Sequence, residues 1–459
     1  MNTSRYIKHK KIYIIILLFL AIKLLIIPYY NVIWWDSAVY IGMGKYIYSL
    51  GNAGLWENSR PIVWPMILGF LWKIGLDRIL IGRIIEIFFG SLCILFTYLI
   101  GRKIFDETTA LLASLFLALS PTFFFFDGIL LTEIVSTFFS LIAVYLVLQK
   151  KYFFSGLFFG MAFMARYLQL FAFITILLVL FFSKNNIKNL RRLIYGFIIT
   201  VSPFLILNRI LYNNALFPFF QQILLSRNSG WLNYHGMGYY FIGLFRENAL
   251  YLLLILGVVV LFKSRKPGKI AAAAVFLVFF IFFNSIKQKE MRFLIILLPY
   301  MYLLVSCGIT SVFGKIKNDL FKRIMWLLVI LSFILSGAQT YNYFKSESMK
   351  IEPYKELQSR LDADYVKGKI GISSPIISVF SSKKINNLMY YPFFNEEKKN
   401  ELESSRMDFI FLDTCDLACR PFDLSCEGNK KELLAYFKKR FAITHASKNA
   451  GCEQYVFQK

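Results

Sequence analysis

The sequence predicts an all-α polytopic membrane domain of about eleven transmembrane helices, followed by a small α/β domain at the C-terminal end. Three observations carry this prediction. Of the 459 residues, 57% are hydrophobic and 17% are charged, with a mean hydropathy of +0.56; a water-soluble chain is typically ~25% charged. The apolar residues fall in uncharged runs, many of roughly 18 residues or more, the length that crosses a bilayer as a helix. From about Tyr341 onward the runs shrink and charges of both signs intersperse. The net charge of +25 comes from Lys and Arg spread between the apolar runs. A nucleic-acid site gathers its cations in one patch, so nucleic acid is not an expected partner.

Taken in order, the candidate spans are 11–30, 78–100, 108–125, 129–148, 153–167, 168–183, 192–211, 247–262, 269–286, 292–312 and 323–340. The stretch 153–183 also reads as one hairpin or one long span. The first run follows Arg5, Lys8, Lys10 and Lys11. It is too long for a signal-peptide core, and no small-residue cleavage site follows it. With the N-terminus cytoplasmic, the inner segments hold roughly twenty Lys and Arg against about eight in the outer loops, the bias of the positive-inside rule. An odd number of spans then places the C-terminal domain outside. The expected division is a membrane-embedded domain, 1–340, and an extracytoplasmic domain, 341–459.

The first outer loop, 31–77, contains an amphipathic stretch (Ala38–Tyr48), a polar turn and an apolar segment (Ile62–Ile74). Trp34, Trp35, Trp56, Trp64 and Trp72 suit rings at the membrane interface, so the loop reads as two helices lying along the outer surface. In the C-terminal region, Lys369–Ser373, Met407–Asp413 and Tyr455–Gln458 read as strands and Lys431–Arg440 as a helix. Cys93 and Cys307 lie inside spans and read as packing. Cys415, Cys419, Cys426 and Cys452 lie in the outer domain and read as two disulfides, with three pairings open. A zinc site using Cys415 and Cys419 competes, against irregular spacing for the remaining ligands.

Ionisable groups near membrane depth are costly and are functional candidates by default. Three acids fall at the outer boundary: Asp36, Asp127 and Glu133. Asp36 follows two Trp rings, whose partial desolvation suits it to general-base work; helix N-capping is the bland reading. Asp127 precedes Gly128, as a turn residue does. Glu133 heads an apolar stretch and needs a polar cavity. Arg60, Arg166, Lys287, Lys289 and Arg292 lie at the same boundary. Arg forks and Lys point charges hold phosphate oxygens, whereas the bland reading is snorkelling at helix ends. Arg83 and Glu86 read as an i,i+3 structural pair, and His235 as a surface-loop residue.

These residues occur in an order that resembles the C-type glycosyltransferase (GT-C) superfamily, nearest the protein O-mannosyltransferases and aminoarabinose transferases. The likeness covers about residues 10–340. Trp35-Asp36-Ser37 resembles the acidic motif of the first outer loop, without the common second acid. Ser59-Arg60-Pro61-Ile62-Val63-Trp64-Pro65 resembles its R-P-P-x-x-P segment. Gly82-Arg83-Ile84-Ile85-Glu86 through Phe105 resembles the second span and its end. Leu130-Leu131-Thr132-Glu133, Gly160–Arg166 and Lys289-Glu290-Met291-Arg292-Phe293 through Pro299 resemble later motifs.

The resemblance implies a cavity at the outer membrane face and a polyprenyl- or dolichyl-phosphate sugar donor lying in the bilayer. Asp36 would be the base for an acceptor hydroxyl of a protein, lipid or glycan. Glu133 and Asp127 would orient the acceptor or the base. Arg60, Arg166, Lys289 and Arg292 would stabilise the leaving phosphate. No cofactor is required; a divalent metal, if used, would fall to Asp36 and Glu133. The rivals are a transporter or flippase of lipid-linked glycans, which would place charges and broken helices at mid-membrane, and a polysaccharide polymerase or ligase.

Overall fold

The computed structural model describes residues 10–30, 33–183, 186–229, 234–263, 266–347, 354–389, 400, 403–417, 419, 423–449 and 451–459. The chain forms two compact units. One comprises Met1–Tyr30, Pro61–Val63 and Arg83–Glu347; the other comprises Asn31–Arg60, Trp64–Gly82 and Ser348–Lys459.

The first unit is helical: α1 (Lys10–Ile26), then, past the first outer loop with its helices α2 (Trp35–Tyr48) and α3 (Val63–Lys73), α4 (Leu80–Ile104), α5 (Glu107–Leu119), α6 (Pro121–Phe126), α7 (Thr132–Leu148), α8 (Tyr152–Ala165), α9 (Leu170–Phe182), α10 (Ile187–Tyr212), α11 (Phe217–Ser229), α12 (Tyr239–Glu247), α13 (Leu254–Lys263), α14 (Pro267–Ser285), α15 (Leu298–Phe313) and α16 (Asp319–Glu347). A helix lies at each of the eleven expected spans, but the count of full crossings is lower. Among the described residues five helices are long and apolar enough to cross a membrane, and a sixth counts if Tyr239–Glu247 and Ala249–Val260, bent by 119°, are one broken span.

Local chemistry explains the shortfall. The expected span 108–125 is cut at Ser120, whose hydroxyl accepts from the Phe123 N–H and starts α6 with Pro121 in its first turn, an arrangement that suits a helix start. The stretch 153–183 is cut at Arg166, which takes an extended conformation between α8 and a 3₁₀ turn, Tyr167–Gln169. At the crossing of α8 and α10, a Cβ on Gly156 or Gly196 would lie 2.1 Å from a carbonyl oxygen of the other helix, so only glycine permits this backbone approach. Helix α15 is buried all round from Leu298 to Ile309, as befits an internal helix.

The second unit joins the first outer loop to the C-terminal region. Its five-stranded sheet has the order β2-β1-β3-β5-β4, with β1 (Ile370–Ile372), β2 (Asn387–Leu388), β3 (Phe409–Asp413), β4 (Ala442–Asn449) and β5 (Cys452–Gln458). β1 runs parallel to β2 and β3, and β5 runs antiparallel to β3 and β4. β3 is buried on both faces, and its period-2 alternation divides the core. Phe409 and Phe411 join a cluster with Ile370, Ile372, Val456 and Leu357 and Leu361 of α17 (Lys355–Leu361); Ile410 and Leu412 join Tyr455, Phe457 and Leu433 and Phe437 of α18 (Cys426–Arg440).

The first of these clusters also contains Val39, Met43 and Leu55 from the outer loop, with Trp35 and Trp56 packed against it. The expected helix pair of the loop is present as α2 and α3. The apolar face of α2, however, covers a protein sheet, and Trp64 of α3 is fully buried rather than interfacial, while Met66 and Phe70 of α3 are exposed. The expected boundary at 340/341 follows the chain, whereas the core groups residues from both ends of the sequence. The polar edge strand β4 and the short β2 were not expected from the sequence.

Candidate active site

The predicted residues fall into one cluster in each unit. In the helical unit the chain turns sharply before α7: Gly128 has φ +100° and Leu130 φ +67°. The left-handed conformation is costly for a leucine, and Glu86 holds it. The fully buried Glu86 carboxylate accepts the Leu130 N–H at 2.5 Å and the Leu131 N–H at 3.0 Å. The expected Arg83–Glu86 pair is therefore replaced by a carboxylate–backbone clamp, while Arg83 donates to the Tyr30 carbonyl. The clamped turn starts α7 at Thr132, and Glu133 follows in its first turn.

Glu133 is 1% exposed, and its Oε1 lies 3.0 Å from Arg166 Nη1 and 3.7 Å from Arg292 Nε. Arg166, placed by the break after α8, also donates to Thr132 Oγ1 at 3.1 Å. Arg292 stands on the 3₁₀ segment Met291–Ile296 that precedes Pro299 and α15. It forks onto Glu290, with Nε–Oε2 at 2.6 Å and Nη2–Oε1 at 3.2 Å. Both guanidiniums lie 5.5 Å from the centroid of the Phe293 ring. Glu290 and Phe293 were not among the expected site residues, although they stand beside Arg292 in the same motif.

Asp127 and Lys289 do not join this group. Asp127 is the C-cap of α6, and its carboxylate faces α4, where a Cβ on Gly90 would lie 2.5 Å from Oδ2. It is fully buried beside Lys23, whose ammonium donates to Tyr30 Oη, to the Phe124 carbonyl at 2.7 Å and to the Asp127 carbonyl. Lys23, a lone cation inside an apolar run, was missed; its depth in the run was the signal. Lys289 donates to the nearby Ile286 carbonyl. Lys287 is exposed, and the exposed His235 stacks on Tyr239 at 4.1 Å.

In the other unit Asp36 lies in the first turn of α2, where an acid suits the helix dipole. The N-cap is Trp34, so Asp36 does not have the expected capping role. Asp36 Oδ1 pairs with Arg60 Nη2 at 2.9 Å, and Arg60 Nε also meets Glu57 at 2.9 Å. At 17% exposure, Asp36 is the most accessible of the three candidate acids. The four cysteines of the C-terminal region pair as Cys415–Cys452 and Cys419–Cys426. Cys93 and Cys307 are buried and unbonded.

Hard divalent cations require several oxygens free to converge. Within each unit, the Asp36 and Glu133 carboxylates are instead matched by guanidiniums. Among the described residues the grouping with metal-ligand spacing is Asp413, Cys415 and Cys452, and its sulfurs are joined to each other. These donor sets do not fit a divalent metal.

Residues 59–208, about a third of the chain, match the family model described as dolichyl-phosphate-mannose-protein mannosyltransferase. No curated protein sequence matches the chain. Among solved structures, the chain is similar to ArnT from Cupriavidus metallidurans bound to undecaprenyl phosphate, with TM-score 0.68, 11% identity, and 96% of this chain and 97% of that one covered. It is also similar to the oligosaccharyltransferase AglB from Archaeoglobus fulgidus in complex with an inhibitory peptide and a dolichol-phosphate, with TM-score 0.61, 13% identity, and 98% and 74% covered. The apo oligosaccharyltransferase from Archaeoglobus fulgidus matches with TM-score 0.59, 14% identity, and 87% and 69% covered. The resemblance read from the motifs therefore stands: this is a membrane protein with the GT-C fold of the ArnT and AglB structures, and its residues 59–208 match the dolichyl-phosphate-mannose-protein mannosyltransferase family.

Proposed function

We propose that the protein is a glycosyltransferase that moves a sugar from a polyprenyl- or dolichyl-phosphate donor to an acceptor hydroxyl on the extracytoplasmic face. The observation that carries this reading is the Glu133–Arg166–Arg292–Glu290 cluster. Two guanidiniums held at fixed positions by buried carboxylates form a preorganised receptor for phosphate oxygens. In the reaction, the acceptor oxygen bonds to the anomeric carbon, the bond from that carbon to the phosphate oxygen breaks, and its electron pair leaves with the phosphate. Asp36 takes the acceptor proton. Arg166 and Arg292 stabilise the charge that grows on the phosphate, and Glu133 and Glu290 orient the guanidiniums. Asp127, whose carboxylate is buried against α4 and whose backbone carbonyl is held by Lys23, is given no step in the reaction.

The orientation proposed is N-terminus cytoplasmic with the C-terminal region outside. The charge bias of the loops supports it, as does the core that the first outer loop shares with the C-terminal sheet, which requires both on one side of the membrane. The 119° break after Glu247 is the feature that a flippase would use, so the test has two arms. Asp36→Asn is assayed for sugar transfer from a polyprenyl-phosphate donor in membranes, and the wild type is assayed for lipid-linked sugar flipping in proteoliposomes. A fall in transfer of about 100-fold or more is expected for loss of a general base. Transfer near the wild-type rate removes Asp36 from that role, and flipping without transfer favours the rival.

A further inference from the structure

We infer that the C-terminal region is the second half of the domain that carries Asp36, and that Lys45 is the positioning residue that ties the Asp36 helix to it. The inference rests on the reading of Asp36 as the base. Asp36 stands in the first turn of α2 and Lys45 in its last. The Asp36 carboxylate meets Arg60, and Trp34 supplies no side-chain cap at the start of α2, so the backbone position of Asp36 follows how the rest of the helix is held.

Lys45 holds it. The Lys45 side chain is fully buried, and its ammonium donates to the carbonyls of Ser378 (3.2 Å), Val379 and Ser381 (2.7 Å). Three acceptors match the three donors of an ammonium. These carbonyls lie at and just beyond the end of the 3₁₀ turn Pro375–Ser378, where backbone acceptors lack partners within the turn. Arg78 adds a second cation on the Val379 carbonyl at 2.7 Å. The backbone of the loop is joined to the same segment: the Gly54 N–H donates to Lys383 at 3.0 Å, and the Gly54 carbonyl accepts from Ile385 at 2.8 Å. Between Asp36 and Lys45, Val39 and Met43 are buried against Ile372, Ile377 and Phe411. The C-terminal region therefore acts on catalysis by fixing a helix.

The test reads the geometry and the chemistry separately. A thiol introduced by Asp36→Cys is labelled with a membrane-impermeant maleimide, with and without Lys45→Met; the native cysteines are disulfide-bonded or buried. Labelling is expected to rise about tenfold with Lys45→Met as local opening becomes more populated. In the enzyme with Asp36 intact, Lys45→Met is expected to lower kcat about tenfold with donor KM unchanged and to shift the limb of the pH–rate profile that reports the base. If Lys45→Met does not accumulate, Arg78→Gln, which removes one donor to the same carbonyl, is expected to raise labelling by a smaller factor. Unchanged labelling in either variant overturns the inference, as does a loss that appears in KM alone. Labelling of the Asp36→Cys thiol needs no turnover, so it stands or falls apart from the base role, which Asp36→Asn tests.

Discussion

At the level of single residues, the site is a set of charges matched by other charges, and each match predicts a cost. Arg292 forks onto Glu290 and reaches Glu133. A lysine cannot reproduce a planar fork, so Arg292→Lys is expected to lower kcat about 100-fold, the scale of losing one fixed donor to a growing oxyanion. Glu86 acts through the backbone. Glu86→Gln replaces two acceptor oxygens with one and leaves the Leu130 turn unsupported. Misplacement of Glu133 by about 1 Å is then expected to cost up to ~100-fold in kcat, with folded yield, read by size-exclusion chromatography, little changed. The buried Lys23 ammonium holds the Phe124 and Asp127 carbonyls beside the buried Asp127 carboxylate, and leaving buried acceptors unpaired typically costs about 1–3 kcal/mol each. Lys23→Met is expected to lower the melting temperature in detergent, and adding Asp127→Asn to recover part of the loss. Asp36, Glu133 and Arg166 were legible in the sequence as lone charges beside apolar residues, and Arg292 as the last charge of the segment Lys287–Arg292 before an apolar run. Lys45 and the clamping role of Glu86 were not: a charge that fixes backbone carbonyls or N–H groups has the same sequence signature as one that snorkels or pairs along its helix.

At the level of elements, the same limit appears as a difference between where an apolar run ends and where a helix ends. Asp127 and Glu133 sit close in sequence, yet the left-handed turn at Gly128 and Leu130 sends one toward α4 and the other toward the arginines. Composition does not encode that turn. Helices α5, α7, α8 and α9 were visible as apolar runs, whereas the cuts at Ser120 and Arg166 depend on capping and conformation. In the C-terminal sheet, β3 was legible because both of its faces are apolar, while the edge strand β4 carries Thr444, Ser447, Lys448 and Asn449, which read as loop.

Two predictions belong to this sheet. The Cys415–Cys452 disulfide ties the end of β3 to the start of β5 across a sequence separation of 37, for which chain-entropy arithmetic gives about 4 kcal/mol. Cys452→Ser is expected to lower the melting temperature more than Cys426→Ser, whose bridge spans a separation of 7. Asp416 accepts from Ser373 Oγ and Tyr354 Oη, and burial pushes its carboxyl up to about 7 despite these bonds. A raised folded-state value favours the protonated form in the native protein. The contribution of Asp416 to stability is therefore fullest below about pH 4 and is lost as the pH rises to about 7. The melting temperature of Asp416→Asn, measured against wild type, is expected to gain steadily over that range; a gap independent of pH would contradict the assignment.

At the level of the whole molecule, the membrane class and the general order of helices were legible because bilayer thickness imposes a length on every apolar run. The partnership of the first outer loop with the C-terminal sheet was not legible, since it depends on contacts between residues more than three hundred positions apart, such as Lys45 and Ser378. That partnership underlies the mechanical role inferred for the C-terminal region, and the cluster of Arg166 and Arg292 around Glu133 underlies the chemical role proposed for the arginines. The central claim is that Arg166 and Arg292 receive a lipid phosphate. It is tested most directly by determining the structure with a polyprenyl phosphate bound. The account predicts phosphate oxygens about 3 Å from the guanidinium nitrogens of both arginines. A phosphate bound elsewhere, with both guanidiniums still closed on Glu133 and Glu290, would contradict it.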